Sequence, residues 1–382
     1  MPRPVIHRLR FGAWWGLVVF LLVPTVVASA ASDTLRAPPL LVVRDDENLC
    51  LIADGRDSVL YHSIDYITYP SISADGRFIA LLEYDRKSFL GSLLSSFSEG
   101  QGEVDLLLID RFLGGQRTLG ELKFRRVFEG PASERSWLLF APLWWQDGAH
   151  MIIATRAGVD ALHVDGTRRA LMALPRLGAI AVTPQRDRCV FTDGKCLWDV
   201  TSLDSTPRTL LDSERVAADL GHDNIRALTF SRDGRRLAIG DGRVISLVDV
   251  STHEITKAAK FPDDVYSMAW LANDSGLVVV CGREDQETAM RSSAIANGVL
   301  RGSFEVRSWR IGTEKTQKLY SQVDFAVCGV TASLSPDARF LVFSSRHRSE
   351  NRVLMVLPLD GRKPVRITDR DDYSTPIWMT GE

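Results

Sequence analysis

The sequence is poor in cysteine and has almost no net charge. Its 382 residues include 5 cysteines, and the formal net charge at pH 7 is −2. Scattered cysteines match neither a disulfide-dense scaffold nor the paired spacings of a zinc site. A near-neutral chain also lacks the strongly basic face that nucleic-acid binding requires. We therefore expect a protein that is stabilised mainly by its hydrophobic core and does not bind nucleic acid.

The common catalytic signatures are also missing. The sequence contains no Gly-x-Ser-x-Gly elbow, no His-Glu-x-x-His pair and no Walker-type loop. The histidines are scattered and show no ligand spacing, which favours surface or strand positions for them. His222 is the exception that we keep open, because it falls on the loop-rich face described below. These absences favour a protein that is not an enzyme, although they do not decide the question.

Long apolar runs are missing except at the N-terminus. Residues 11–27 are apolar, follow basic residues and precede Ala28-Ser29-Ala30. This pattern is typical of a secretory signal peptide that is cleaved after Ala30, with an uncleaved membrane anchor as the alternative. We predict a signal peptide at 1–30, a linker at 31–38, and an exported protein, periplasmic or secreted, without stable membrane insertion after cleavage.

What is present is a repeated short word. The sequence FSRDGR at residues 230–235 ends one β-rich run, turns and begins the next. The Asp-Gly pair supplies the tight turn, and the apolar residue before it is expected to be buried. From Gln185 to Asp233 to Asn273 the copies lie 48 and 40 residues apart. A period near 40 with four short strands per unit indicates the blades of a β-propeller. The other copies are at 72–77, 144–148, 182–186, 270–274 and 334–339.

The best copy carries a family resemblance. SLSPDARFLVFSS followed by VLMVLPLDGRKPVRITD resembles the TolB-like, WD-repeat-like propeller repeats, in which a turn, an apolar strand, a strand ending in Asp and a closing Leu-Thr follow one another. The resemblance spans residues 39–382, and we assign that range to the propeller. It implies the fold and leaves the function open, because one fold hosts many functions.

The repeat predicts an all-β, seven-bladed propeller. Six inner strands end near Ile72, Trp144, Val182, Phe230, Trp270 and Leu334, and a seventh lies at 375–379. The N-terminal runs have no inner strand of their own, so we expect both termini to complete one blade and close the ring. Six blades with an N-terminal cap is the alternative. Trp144, Trp270 and Trp378 occupy equivalent positions and are predicted to be core between blades.

The long insertions predict which face of the ring binds a partner. Residues 85–102, 127–136, 212–225 and 282–302 all connect strands on one face, and binding usually sits on long loops over a rigid scaffold. Two acidic loops on that face should lie near one another. A calcium ion or a basic partner could use them, although solvated turns are the plainer interpretation. The acidic residues are Asp45, Asp46, Glu47, Asp369, Asp371 and Asp372.

One insertion also has a helical apolar pattern. In SFLGSLLSSFS, residues 88–98, the large apolar residues fall on one side of a helix and glycine and the serines on the other. We predict a short amphipathic helix that docks a partner; packing onto its own propeller and contact with a membrane surface are the alternatives. Its apolar side comprises Phe89, Leu90, Leu93, Leu94 and Phe97.

One disulfide is predicted, between Cys281 and Cys328, which should lie near one face of neighbouring blades. Cys189 and Cys196 flank a tight turn and are the less favoured alternative. With a two-residue turn Cys196 would face Phe191 and Cys189 would lie diagonally, which strains a disulfide.

Together these features predict a non-catalytic binding or scaffold module. Its partner would be an envelope or extracellular protein, peptide or glycan, bound on the loop-rich face, and no cofactor other than calcium is considered. The alternatives are a propeller-type lyase or hydrolase with its site at the central channel, and a purely structural spacer.

Overall fold

The apolar runs of the sequence form short strands joined mostly by tight turns. A computed structural model describes residues 37–54, 56–84, 101–125, 141–155, 157–174, 177–220, 225–284, 301–313, 315–326, 332–345, 353–368 and 373–379. They belong to one compact unit, Ala37–Glu382. No helix in this described part of the chain is long and apolar enough to cross a membrane.

The described residues contain 28 strands. In chain order they are β1 Leu40–Arg44, β2 Asn48–Ala53, β3 Arg56–His62, β4 Tyr66–Ile72, β5 Phe78–Tyr84, β6 Gln101–Asp110, β7 Gly115–Arg125, β8 Leu143–Trp144, β9 His150–Thr155, β10 Gly158–His163, β11 Arg168–Ala173, β12 Ala179–Val182, β13 Cys189–Thr192, β14 Leu197–Val200, β15 Arg208–Leu211, β16 Ile225–Phe230, β17 Arg236–Asp241, β18 Val244–Asp249, β19 Ile255–Lys260, β20 Asp264–Trp270, β21 Gly276–Glu284, β22 Arg301–Arg310, β23 Thr316–Ala326, β24 Ala332–Leu334, β25 Phe340–Ser345, β26 Val353–Pro358, β27 Val365–Arg366 and β28 Tyr373–Trp378.

These strands form seven antiparallel sheets of four. Blades 1 to 6 are β4–β7, β8–β11, β12–β15, β16–β19, β20–β23 and β24–β27, each numbered from its inner strand outward. Blade 7 has the order β28-β1-β2-β3. The prediction of a seven-bladed propeller is therefore confirmed, and the six-bladed alternative is wrong.

Both ends of the propeller meet in blade 7. Strand β1 pairs with β28 in antiparallel register, with Leu40 opposite Trp378 and Leu41 opposite Ile377. The Met379 N–H donates to the carbonyl of Pro39 at 2.8 Å. Strand β28 supplies the inner strand that β1–β3 lack. The two parts complete one sheet, because each alone would expose unpaired backbone groups.

The aromatic residues that end the inner strands pack between blades, as predicted. Trp144, Trp270, Trp378 and Phe230 are all buried. The indole Nε1 of Trp270 donates to the carbonyl of Thr229 in the preceding blade at 3.0 Å. Trp378 Nε1 likewise donates to the carbonyl of Ser333 in the preceding blade at 2.8 Å. These indoles therefore join neighbouring blades through both packing and a hydrogen bond.

The repeated word forms one type of turn between the inner and the second strand. We number the turn from the residue that follows the strand end, which is Ser231 in blade 4. Ser231 is buried, and its Oγ donates to Asp233 at 2.6 Å and accepts the N–H of Arg236 at 2.8 Å. The fourth residue has positive φ, which glycine adopts without strain. The structure has this conformation in six blades, at Gly76 (70°), Gly148 (65°), Arg186 (62°), Gly234 (71°), Asp274 (53°) and Ala338 (54°).

Aspartates that end third strands also have a local role. Asp249 Oδ1 accepts the backbone N–H groups of Ser251 and Thr252, both at 2.9 Å. Asp110 Oδ1 makes the equivalent bonds to Phe112 and Leu113. The carboxylate therefore holds the turn into the outer strand, which explains its recurrence.

Antiparallel order places the connections on two faces. We call the face with the inner-to-second and third-to-outer turns the turn face, and the opposite face, with the remaining connections, the loop face. Residues 212–225 were predicted to decorate the loop face. Their described part forms helix α1, Ser213–Arg215, and a π-helical turn, Val216–Leu220. The segment leads from the outer strand of blade 3 to the inner strand of blade 4 and so lies on the loop face. Val216 and Leu220 are buried between the two blades, whereas Ser213, Glu214, Ala217 and Ala218 are exposed.

Candidate functional site

A cavity lies on the axis of the ring, at its turn face. Its volume is about 730 Å³. Every blade contributes the end of its inner strand, which identifies the cavity as the mouth of the central channel. The contributing strand ends are Ile72, Trp144, Val182, Phe230, Trp270, Leu334 and Trp378.

The charge of this channel mouth is carried by two arginines. Among the described lining residues, Arg186 and Arg232 are charged, and the others are apolar or carry hydroxyl groups. The hydroxyls belong to Ser71, Thr183, Thr229, Ser333 and Ser335. No carboxylate, imidazole or thiol belongs to this described lining. The mouth is therefore electropositive and mainly apolar.

Arg186 reaches across the mouth. The backbone of Arg186 is left-handed, with φ of 62°. Its Nη1 donates to the carbonyl of Ile72 at 3.1 Å. Ile72 belongs to blade 1 and Arg186 to blade 3. Burial lowers the pKa of Arg186, and the Asp75 carboxylate opposes this shift. A guanidinium stays protonated in proteins, so a partly buried charge with most of its N–H donors uncommitted faces the channel.

Arg232 is the second cation of the mouth. Its backbone N–H donates to Asp274 Oδ1 at 2.9 Å, which fixes the turn. Among the described residues, its guanidinium has no hydrogen bond or ion pair. The carboxylate that affects Arg186, Asp75, is itself held by Ser73 Oγ at 2.5 Å and the Arg77 N–H at 3.1 Å. Neither arginine is therefore neutralised by an ion pair in this part of the protein.

Sequence reasoning missed both arginines because they sit inside a repeated turn that was given only a structural role. Each does break the repeat. Arg186 stands at the fourth position, where three copies have glycine, and Arg232 is the charged residue among the six second positions. The second position lines the mouth in blades 3, 4 and 6, as Pro184, Arg232 and Pro336, and its one charged residue was the available signal.

The predicted acidic site is resolved only in part. Asp45 forms an ion pair with Arg44 at 3.6 Å. The carbonyls of Asp46 and Glu47 accept the N–H groups of Ile67 and Ser63, so this loop packs on the connection into blade 1. Asp369, Asp371 and Asp372 lie outside the described residues. Within those residues no three His, Cys, Asp or Glu side chains are grouped to hold a metal ion, and the calcium site stays a prediction.

The predicted docking helix also stays a prediction. Phe89, Leu90, Leu93, Leu94 and Phe97 all lie outside the described residues, as does His222.

The predicted disulfide and its alternative are both wrong. Cys50, Cys189, Cys196 and Cys281 carry free thiols. Thr192 pairs with Leu197, so the turn spans four residues, and Cys189 lies at the far end of its strand, opposite Val200.

Cys281 packs in the core cluster that joins blades 4 and 5, and its predicted partner, Cys328, lies outside the described residues. Burial raises the pKa of the Cys281 thiol to about 12, with Glu305 adding to the shift. A thiol that resists ionisation is a poor nucleophile, which fits a role in the core.

The fold and the channel mouth define the class of the protein: a seven-bladed β-propeller closed by its own termini. No family model matches the sequence, and a search of curated proteins also gives no match. Solved structures do match. A putative 6-phosphogluconolactonase from Bacteroides uniformis has a TM-score of 0.55 at 13% identity, covering 89% of this chain and 99% of that one.

Two further structures are similar. A functionally unknown protein from Desulfotomaculum acetoxidans has a TM-score of 0.53 at 11% identity, covering 88% of this chain and 98% of the other. TolB from Acinetobacter baumannii has a TM-score of 0.48 at 13% identity, covering 90% of this chain and 66% of that chain. Identities this low show a shared fold and nothing about activity.

Proposed function

We propose that the chain is an exported, non-catalytic binding module of the TolB-like kind. Its channel mouth would bind an anionic group presented by an envelope or extracellular protein, peptide or glycan. The observation that carries this proposal is the pair of arginines, Arg186 and Arg232, in a mouth lined otherwise by apolar and hydroxyl-bearing residues.

The chemistry of the mouth favours a carboxylate or another planar anion. A guanidinium presents its N–H donors in a fork that matches two oxygens. A hydrogen bond to a charged group contributes roughly 1.5–3 kcal/mol. The apolar wall around the arginines, with Trp144 and Trp270, would exclude water from the same contact and contact the body of a peptide or sugar.

The same lining favours binding over the alternative, a lyase or hydrolase with its site in the channel. Proton transfer needs a base or acid whose pKa lies near the working pH. The described lining offers hydroxyls and guanidinium groups, which at neutral pH are poor bases. A catalytic site here would need a titratable side chain from outside this lining.

The loop face enters as a second contact surface. The amphipathic pattern of residues 88–98 supports a partner docking there. Replacement of Phe89 and Leu93 with aspartate would then abolish capture of an envelope partner while stability barely changes. A loss of several kcal/mol of stability would instead indicate that the stripe packs on its own propeller.

The channel mouth is tested with a defined anionic probe. We expect a fluorescent pentaglutamate peptide to bind in low salt more tightly than pentaglutamine, measured by fluorescence anisotropy. Arg186→Gly combined with Arg232→Gln should remove the difference, because glycine keeps the left-handed turn while both charges are lost. Arg235→Gln, on the same turn but outside the lining, is the matched control. Equal binding by the protein and the double variant would overturn the proposal.

A further inference from the structure

Blade 2 brings two histidines together at the turn face. His150 begins β9 and His163 ends β10, and the two residues are directly paired in the antiparallel register. Directly opposed residues project their side chains to the same side of a sheet. The ring centroids are 4.7 Å apart with an interplanar angle of 53°. The two imidazoles therefore touch, although 13 residues separate them in the sequence.

Each imidazole is held by a carboxylate at its Nδ1 atom. His150 Nδ1 lies 2.5 Å from Asp147 Oδ2. His163 Nδ1 lies 2.8 Å from Asp165 Oδ1, and the Asp165 N–H approaches the same nitrogen at 3.3 Å. The shorter, charge-assisted contact decides the orientation of the ring.

Aspartate carboxylates are ordinarily ionised at neutral pH, so Asp147 and Asp165 act as acceptors beside the two rings. An ionised carboxylate only accepts hydrogen bonds, so the hydrogen lies on each Nδ1. In the neutral ring Nε2 then carries a free lone pair.

A carboxylate on one ring nitrogen is the arrangement that orients metal-binding histidines, because it fixes the tautomer and raises the basicity of the other nitrogen. The side chains of His150 and His163 are 36% and 32% exposed, so an ion can reach them and water can complete its coordination. Nearby, Arg117 donates to the Val164 carbonyl, and the two carboxylates outnumber this cation.

We propose that His150 and His163 bind one divalent transition-metal ion through their Nε2 atoms. Imidazole nitrogen suits copper, nickel and zinc rather than calcium or magnesium, and copper(II) is expected to bind most tightly. Asp147 and Asp165 are positioning residues that do not touch the ion. Two protein ligands leave the other coordination sites to water, so the ion is exchangeable. The site is separate from the channel mouth and does not depend on the function proposed for it.

The test uses the untagged protein, titrated with Cu²⁺ and followed by calorimetry and electron paramagnetic resonance. We expect one bound ion with two nitrogen couplings. His150→Ala and His163→Ala should each remove one coupling and most of the affinity. His62→Ala is the matched control, because His62 is an exposed strand histidine whose Nδ1 contacts Asn48 Oδ1. That variant should bind like the unmodified protein.

The positioning role has its own readout. Asp165→Asn should keep two nitrogen couplings and weaken binding about tenfold, as expected for loss of a supporting carboxylate. The proposal is overturned if His150→Ala and His163→Ala bind Cu²⁺ as the unmodified protein does, or if the resonance spectrum indicates sulfur ligands.

Discussion

Two interfaces between blades have a tryptophan at the same position of the repeat, and they differ in the hydrogen bonding of its indole N–H. Between blades 4 and 5, Trp270 Nε1 donates to the Thr229 carbonyl. Between blades 1 and 2, Trp144 packs against Phe78 with ring centroids 6.1 Å apart. Its Nε1, buried like the nearby Ser71 Oγ, has no hydrogen-bond partner among the described residues.

The difference begins in the inner strand of blade 1. The pairing of β4 with β5 shifts between Thr68 and Ser71, and Tyr69 has φ 48°. Such an irregularity reorients the carbonyls that follow it. The carbonyl equivalent to that of Thr229 belongs to Ser71, and the next carbonyl, of Ile72, accepts Arg186 from blade 3. Departure from the repeat at one interface therefore coincides with the entry of a cation into the channel mouth.

The largest effect is expected where the ring closes. Trp378 has both the packing and the hydrogen bond of a regular interface, and it lies on the strand that pairs with β1. Trp378→Ala should cost on the order of 3–5 kcal/mol of unfolding free energy, because a large buried side chain is removed. Truncation before Tyr373 should be at least as damaging. Urea unfolding measures both, and an unchanged midpoint for the truncated protein would refute closure by the termini.

A milder substitution separates the two interfaces. Trp270→Phe removes a satisfied indole and leaves the Thr229 carbonyl short of a donor, which should cost about 1–3 kcal/mol beyond the lost ring volume. Trp144→Phe removes a donor that had no described partner and should cost less by about 1 kcal/mol or more. The pair is compared by urea unfolding. Equal losses would mean that the Trp144 indole is satisfied after all.

The ring could be predicted from the sequence because its determinants are local and repeated. The turn word, the aromatic residue before it and the aspartate after the third strand each have a role within one blade. Arg186 and the pair of His150 and His163 depend on distances across blades or between strands, which spacing alone does not contain. The Cys189–Cys196 pairing failed for a related reason: the turn is two residues longer than expected, so Cys196 lies within it and Cys189 faces Val200.

The repeated turns themselves provide the next comparison. Gly234 and Ala338 occupy the same position with φ of 71° and 54°. An added Cβ at Gly234 would meet Gln185 and Thr183 atoms at 3.5 Å, ordinary contacts, so Gly234→Ala should cost roughly 1 kcal/mol from backbone strain alone. Ala338→Gly relieves that strain but loses a buried methyl group and adds freedom to the unfolded chain, so its net effect should be below about 0.5 kcal/mol. Thermal melting compares the two variants. Equally large losses of stability in both would contradict the idea that a side chain strains the backbone at both positions.

The smallest effect distinguishes two aspartates that hold equivalent turns. Ser251 Oγ and neighbouring backbone N–H groups lower the pKa of Asp249 to about 2. Arg77 is the main cause of the lowered pKa of Asp110, through an ion pair at 2.8 Å. Both folded-state pKa values lie below the unfolded value, so each group stabilises the fold above that value and loses its contribution as pH falls through the folded pKa.

Salt should separate the two, because an ion pair at the protein surface is weakened at high salt, whereas hydrogen bonds from neutral donors are little affected. We expect carboxyl NMR titrations in high salt to raise the pKa of Asp110 and leave that of Asp249 almost unchanged. Arg77→Gln should reproduce the salt effect at Asp110 in low salt. Equal salt shifts at both aspartates would show that the Asp249 turn also depends on a charge, and the distinction between the two turns would fail.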